Sequence, residues 1–161
     1  MSFGQDAHGG GAAGLRVLVV EDHADTRQAT RRLLSLLGCT VSTAATAAEA
    51  RQALAGGRFD LLLCDLQLPD GDGRDLLRQA RDAAAAGGGG PPVRGIAISG
   101  ETGPAAVAQT REAGFCDHLT KPIMWADLEG AVRRTADGGC PRREEGAGAG
   151  ERVAGCPQCD R

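Results

Sequence analysis

The chain has 161 residues, enough for one domain with tails, and 42% of them are hydrophobic, enough for a core. With one Trp, three Phe and no Tyr, that core must be built from Leu, Val, Ile and Ala. A net charge of −3 argues against a nucleic-acid-binding surface, no stretch reaches the roughly 18 apolar residues of a membrane span, and the N-terminus lacks the basic flank and apolar run of a signal peptide, so a cytoplasmic protein is expected.

Residues 1–14 are rich in Gly and Ala without an apolar period and are expected to form a disordered tail. Residues 15–20 (LRVLVV) read as a strand. A helix is expected over 25–37, with Ala29, Leu33, Leu36 and Leu37 on one face and Gly38 as its capping glycine. A second strand spans 39–44. Thr46, followed three residues later by Glu49, starts a helix that runs to about residue 55. Residues 59–64 (FDLLLC) are continuously apolar, as a strand covered on both faces should be.

The loop Leu68-Pro69-Asp70-Gly71-Asp72-Gly73 then leads into a helix ending near residue 85, and AAGGGGPP reads as a flexible insertion. Strand four is 95–99, a short helix with Pro at its first turn is 104–113, strand five is 115–119 and the last helix is 125–135. Residues 137–161 resemble the first tail in composition. Five βα units imply an α/β fold, a parallel sheet with helices on both faces and a site at the carboxyl ends of its strands.

Those ends carry the polar residues. Glu21 and Asp22 close strand one, Asp65 strand three and Ser99 strand four, and Lys121 follows strand five. Singly, each has a plain structural use: helix cap, turn residue or surface charge. Together at one edge they need another explanation, because three neighbouring carboxylates repel one another unless a cation sits among them. Mg²⁺ suits such a cluster, with Asp22 and Asp65 as direct ligands and Glu21 acting through water. Lys121 is a point charge suited to a phosphoryl oxygen, Ser99 is a hydroxyl donor, and Asp65 between them is the candidate nucleophile.

The segments VLVVEDHADTR, FDLLLCDLQLPDGDG, IAISGE and GFCDHLTKP resemble, in order, the successive blocks of the receiver domain of bacterial two-component systems. The resemblance spans 15–136, which defines the expected domain. It implies a flavodoxin-like strand order 2-1-3-4-5. It makes Asp65 the phosphoacceptor and assigns Mg²⁺ to Glu21, Asp22, Asp65 and the backbone carbonyl of Gln67. Ser99 becomes the switch hydroxyl, Lys121 the phosphoryl-contacting lysine, and Lys121–Pro122 a cis peptide. His118 stands where the family usually has a Tyr or Phe that moves with the switch hydroxyl. Small Gly100 leaves room for a phosphoryl group, and Met124-Trp125 replace the usual cap of the last helix.

The implied partners are a histidine kinase or histidine phosphotransfer protein as phosphoryl donor and a downstream protein target. Too few residues follow Thr135 for a DNA-binding output domain, so direct DNA binding is not expected. No enzyme activity is expected beyond the domain's own phosphorylation and dephosphorylation. Two alternatives carry less. An aspartyl-phosphate hydrolase of small phosphoesters needs an acid–base carboxylate where Gln67 stands. A receiver-fold interaction module that is never phosphorylated would not need the acidic pair, Ser99 and Lys121.

The six cysteines do not suggest a disulfide framework in a reducing compartment. Cys39, Cys64 and Cys116 fall in or beside strands and read as buried thiols. Cys156 and Cys159 form a CxxC pair with only Cys140 near it, short of the four ligands of a structural zinc site.

Overall fold

Alternation within each apolar run sends its residues to opposite sides of one sheet. The computed structural model describes residues 14–86, 93–100 and 103–136. In chain order these form β1 (Arg16–Val20), α1 (Ala24–Leu36), β2 (Thr40–Ala44), α2 (Ala47–Gly56), β3 (Leu61–Asp65), β4 (Gln67–Leu68), β5 (Gly71–Asp72), α3 (Gly73–Ala86), β6 (Arg94–Ser99), α4 (Pro104–Glu112), β7 (Asp117–Thr120) and α5 (Trp125–Ala136). The expectations for the C-terminal tail, for the N-terminal tail up to Gly14 and for most of the Gly-rich insertion lie outside the described residues.

The main sheet runs β2-β1-β3-β6-β7 with every neighbouring pair parallel. With the small β4–β5 hairpin set aside, this is the expected order 2-1-3-4-5. Val17, Val19, Leu61, Leu63, Ile96 and Ile98 point to one side, where Leu34 of α1 and Leu128, Ala131 and Val132 of α5 cover them. Leu18, Val20, Leu62, Cys64 and Ala97 point to the other, under Ala47 and Ala50 of α2 and Leu76, Leu77 and Ala80 of α3. Each fully buried Leu or Ile contributes roughly 1.5–3 kcal/mol. The central strands are thus fixed from both faces, and their carboxyl ends are held in one line.

The helix caps follow the sequence. Thr46 Oγ1 accepts from the Glu49 amide at 3.1 Å, and the Glu49 carboxylate reaches back to the Ala45 amide at 2.7 Å. Gly38 has φ +92°, the left-handed conformation that ends α1. Trp125 opens α5 and remains 39% exposed rather than sealing the helix start.

Three expectations need correction. The buried face of α1 is Thr30 and Leu34, with Leu33 and Leu37 half-buried, whereas Leu36 is 77% exposed and Ala29 is exposed. The repeated Leu pairs offer two helical stripes, and the sheet selects one. The loop after β3 is a hairpin, with Gln67 opposite Asp72 and Leu68 opposite Gly71. Cys39 and Cys64 are buried thiols as read, but Cys116 is half of a disulfide.

Candidate functional site

Glu21 leaves β1 fully buried, and β3 ends on Asp65, which is 4% exposed. Lys121, just past β7, points between them. Its Nζ lies 2.8 Å from Asp65 Oδ2 and 3.1 Å from Glu21 Oε1. Main-chain geometry sets this meeting, because the Lys121 amide donates to the Ser99 carbonyl at 2.9 Å at the end of β6. The Lys121–Pro122 peptide is cis, as expected.

Each carboxylate is also held from the backbone. The Gln67 amide donates to Asp65 Oδ1 at 2.9 Å, and the His23 amide donates to Glu21 Oε2 at 3.0 Å. Glu21 Oε1 is buried and accepts no hydrogen bond despite the nearby ammonium, whose geometry there is that of an ion pair only. Burial pushes the Glu21 carboxyl above the ordinary carboxylate range. The His23 amide and Lys121 pull it back, and the negative charge of Asp65 adds to the rise. Burial pulls the Lys121 ammonium down, but its hydrogen bonds to Asp65 and Glu21 outweigh that and leave it above its ordinary value.

Asp22 is exposed beside this pair. The Glu21 and Asp22 carboxylates and the His23 ring offer donor atoms within 4.8 Å of one another. Asp65, assigned from the sequence to the same ligand set, falls outside that group and instead faces Lys121. Ser99 is 4% exposed at the end of β6, and among the described residues a methyl group added at Gly100 would meet nothing within 4 Å. His118 lies off the line. It sits on β7 with Nδ1 3.1 Å from Thr110 Oγ1 of α4.

Four supporting residues escaped the sequence reading. The Arg27 guanidinium donates to the Glu21 carbonyl at 2.9 Å and so braces the acidic turn. His23 contributes its amide and its ring. Asp70 accepts from the Ala47 and Ala48 amides at 2.7 and 3.1 Å, tying the hairpin to the start of α2. A Cβ at Gly73 would lie 2.6 Å from the Asp65 carbonyl oxygen and 2.9 Å from Cys64 Sγ, so only glycine lets α3 begin against the end of β3. The run Asp70-Gly71-Asp72-Gly73 signals a turn, but the partners of its residues are distant in sequence.

Comparison with known proteins decides the family. The model of the response regulator receiver domain matches residues 17–133. The chain belongs to this family. The sensory/regulatory protein RpfC of Xanthomonas campestris is 32% identical over 114 residues, covering 71% of this chain and 15% of that protein. The transcriptional regulatory protein KdpE of Mycobacterium tuberculosis is 37% identical over 122 residues, covering 73% of this chain and 51% of that protein. This receiver chain therefore spans about half or less of these curated relatives. Among solved structures, a CheY-like receiver domain protein from Methanospirillum hungatei superimposes with TM-score 0.67 at 26% identity, over 78% of this chain and 95% of that one. The receiver domain of a response regulator, NarL, from Mycobacterium tuberculosis gives 0.63 at 29% identity, over 78% and 98%. Among the described residues no helix is long and apolar enough to cross a membrane.

Proposed function

We propose that this receiver takes a phosphoryl group from a phosphohistidine donor onto Asp65 and signals by protein contact. The observation that carries the reading is the Asp65 carboxylate. It is buried at the end of β3, with one oxygen fixed by the Gln67 amide and the other held 2.8 Å from Lys121. In the transfer the donor's N–P bond breaks, an O–P bond forms to Asp65, and the imidazole leaves to be reprotonated by solvent. Lys121 stabilises charge on the phosphoryl oxygens, and open space at Gly100 admits them.

The residues present fit a divalent cation: Glu21 Oε1 is buried without a hydrogen-bond donor beside exposed Asp22. Asp22, Asp65, Glu21 through water, and the Gln67 carbonyl would hold Mg²⁺, with the His23 ring adjacent. Bound there, the ion supplies positive charge that offsets the carboxylates as the phosphoryl group arrives.

The donor is a histidine kinase or histidine phosphotransfer protein. A groove of about 520 Å³ between α1 and the segment after Lys121, walled by Ala29, Leu33, Pro122 and Ile123, offers it an apolar surface beside the site. Ser99 and His118 carry the change outward, through the Thr110 contact to α4, to a downstream protein. The domain acts on itself alone, works in the cytoplasm where ATP-fed donors lie, and does not bind DNA directly. With a small phosphodonor and Mg²⁺, wild type should gain one hydroxylamine-sensitive phosphoryl group by intact mass, and Asp65→Asn should gain none. Equal labelling of the two would overturn the reading.

A further inference from the structure

The hairpin of β4 and β5 carries Gln67, whose amide donates to Asp65 Oδ1 at 2.9 Å. A ladder of two residues a side is marginal by itself, so the hairpin needs other supports to hold that amide in place. Its base is held by the main chain, where the Gly73 amide donates to the Leu66 carbonyl at 3.1 Å. Leu68 is buried in the same core cluster as Ala47 and Ala50 of α2. The tip is held by one side chain. Asp70 Oδ1 accepts from the Ala47 amide at 2.7 Å, and Oδ2 accepts from the Ala48 amide at 3.1 Å.

The helix already has a cap of its own. Thr46 Oγ1 accepts from the Glu49 amide, and the Glu49 carboxylate accepts from the Ala45 amide. The Ala47 and Ala48 amides belong to the first turn, which has no acceptor within the helix. Asp70 takes both, and its negative charge suits a helix start. The hairpin also lies close against α2, since a Cβ at Gly71 would be 3.1 Å from Ala47 Cβ. The Ala47 amide, more than any other group, holds the Asp70 carboxyl below its ordinary range, so the latch is charged at neutral pH.

We propose that Asp70 is a positioning residue for Asp65: by latching the hairpin tip to α2, it keeps the Gln67 amide on the Asp65 carboxylate. Gln67 stands opposite Asp72, two residues past the latch, so a released tip reaches Gln67 through the ladder. The consequence for phosphorylation rests on the reading of Asp65 as phosphoacceptor. The consequence for the Gln67 amide does not.

The test compares Asp70→Ala with Thr46→Ala in the full chain. Each removes one cap from the same helix end, and each should lower the melting temperature by roughly 2–5 °C. Only Asp70→Ala should move the Gln67 amide resonance and speed its hydrogen exchange, both read by NMR without any phosphoryl group. Only Asp70→Ala should slow phosphorylation by a small donor with Mg²⁺, by roughly 10-fold. Asp70→Asn keeps one carbonyl acceptor and should fall between wild type and Asp70→Ala in both readouts. An unchanged Gln67 amide in Asp70→Ala would overturn the latch. Equal changes at Gln67 in Thr46→Ala would assign the effect to a loosened α2 and overturn it too. A displaced Gln67 amide with phosphorylation at the wild-type rate would overturn the positioning of Asp65. If wild type itself takes no phosphoryl group, the phosphoacceptor reading fails, and the Gln67 amide still decides the latch.

Discussion

At the carboxyl end of the sheet, Glu21 and Asp65 are 0% and 4% exposed and share one ammonium, that of Lys121. At the opposite end, Asp60 and Arg16 are exposed and link strands mainly through the main chain. The Arg16 amide donates to Asp60 Oδ2 at 2.9 Å, the Asp60 amide to the Arg16 carbonyl at 2.8 Å, and the Arg94 amide to the Asp60 carbonyl at 3.1 Å. Charge in water is cheap and nearly inert. Charge held out of water interacts strongly but must be neutralised in place. One end of the same five strands joins elements, and the other keeps a charge balance held out of water.

Removing the shared cation should produce the largest effect. Lys121→Met leaves two buried carboxylates facing each other and takes away the cation for the phosphoryl oxygens. The phosphorylation rate with a small donor should fall roughly 100-fold or more, read as an intact-mass time course. A wild-type rate would erase the distinction between the two ends.

Glu21→Gln sharpens the comparison through pH. The folded Glu21 pKa is raised, so the native state binds this proton more tightly than the unfolded chain. The Glu21 contribution is therefore favourable at low pH and is lost as pH rises from the ordinary carboxylate pKa through the raised one. Gln keeps the acceptor for the His23 amide and removes the charge. Without Mg²⁺ at pH 7 the variant should melt above wild type, by roughly 2–5 °C, the scale of about 1 kcal/mol in a domain of this size. The gap should close as the pH is lowered toward 4. A variant less stable than wild type across that whole range would show that the buried carboxylate is not strained. Lys121 works in the opposite direction. Its raised pKa gives stability that is present below its ordinary value and lost as pH climbs through the folded value.

The smallest change should come from the far end. Asp60→Ala removes one exposed acceptor for the Arg16 amide and should lower stability by about 1 kcal/mol or less, measured by urea unfolding. Phosphorylation should proceed at the wild-type rate. A slowed reaction would show that the two ends communicate along the strands.

What was legible in the sequence tracks how local its cause is. Apolar runs covered on both faces, such as Leu61 to Cys64, leave one reading, and Thr46 with Glu49 announces its own cap. The line of Glu21, Asp65, Ser99 and Lys121 followed from strand ends alone, once the topology was assumed. The β4–β5 hairpin was hidden because two-residue strands have no period. The bracing by Arg27 and the glycine requirement at position 73 depend on atoms brought together by the fold, which composition does not encode. The stripe of α1 was misread for a related reason: Leu33, Leu34, Leu36 and Leu37 satisfy helical periodicity twice over, and the sheet chooses between the solutions. Cys116 was misread because disulfide pairing is set in three dimensions, which the spacing of cysteines along the chain does not carry.

The exposed indole at the head of α5 has an optical consequence. Trp125 is the sole tryptophan of a chain with no tyrosine, and it stands four residues past Lys121. Nearly all near-ultraviolet emission of the protein therefore originates at one point, where the backbone leaves Lys121. Any rearrangement of that turn alters the water around a single ring, so an ordinary fluorescence trace of unlabelled protein is already a record from one residue.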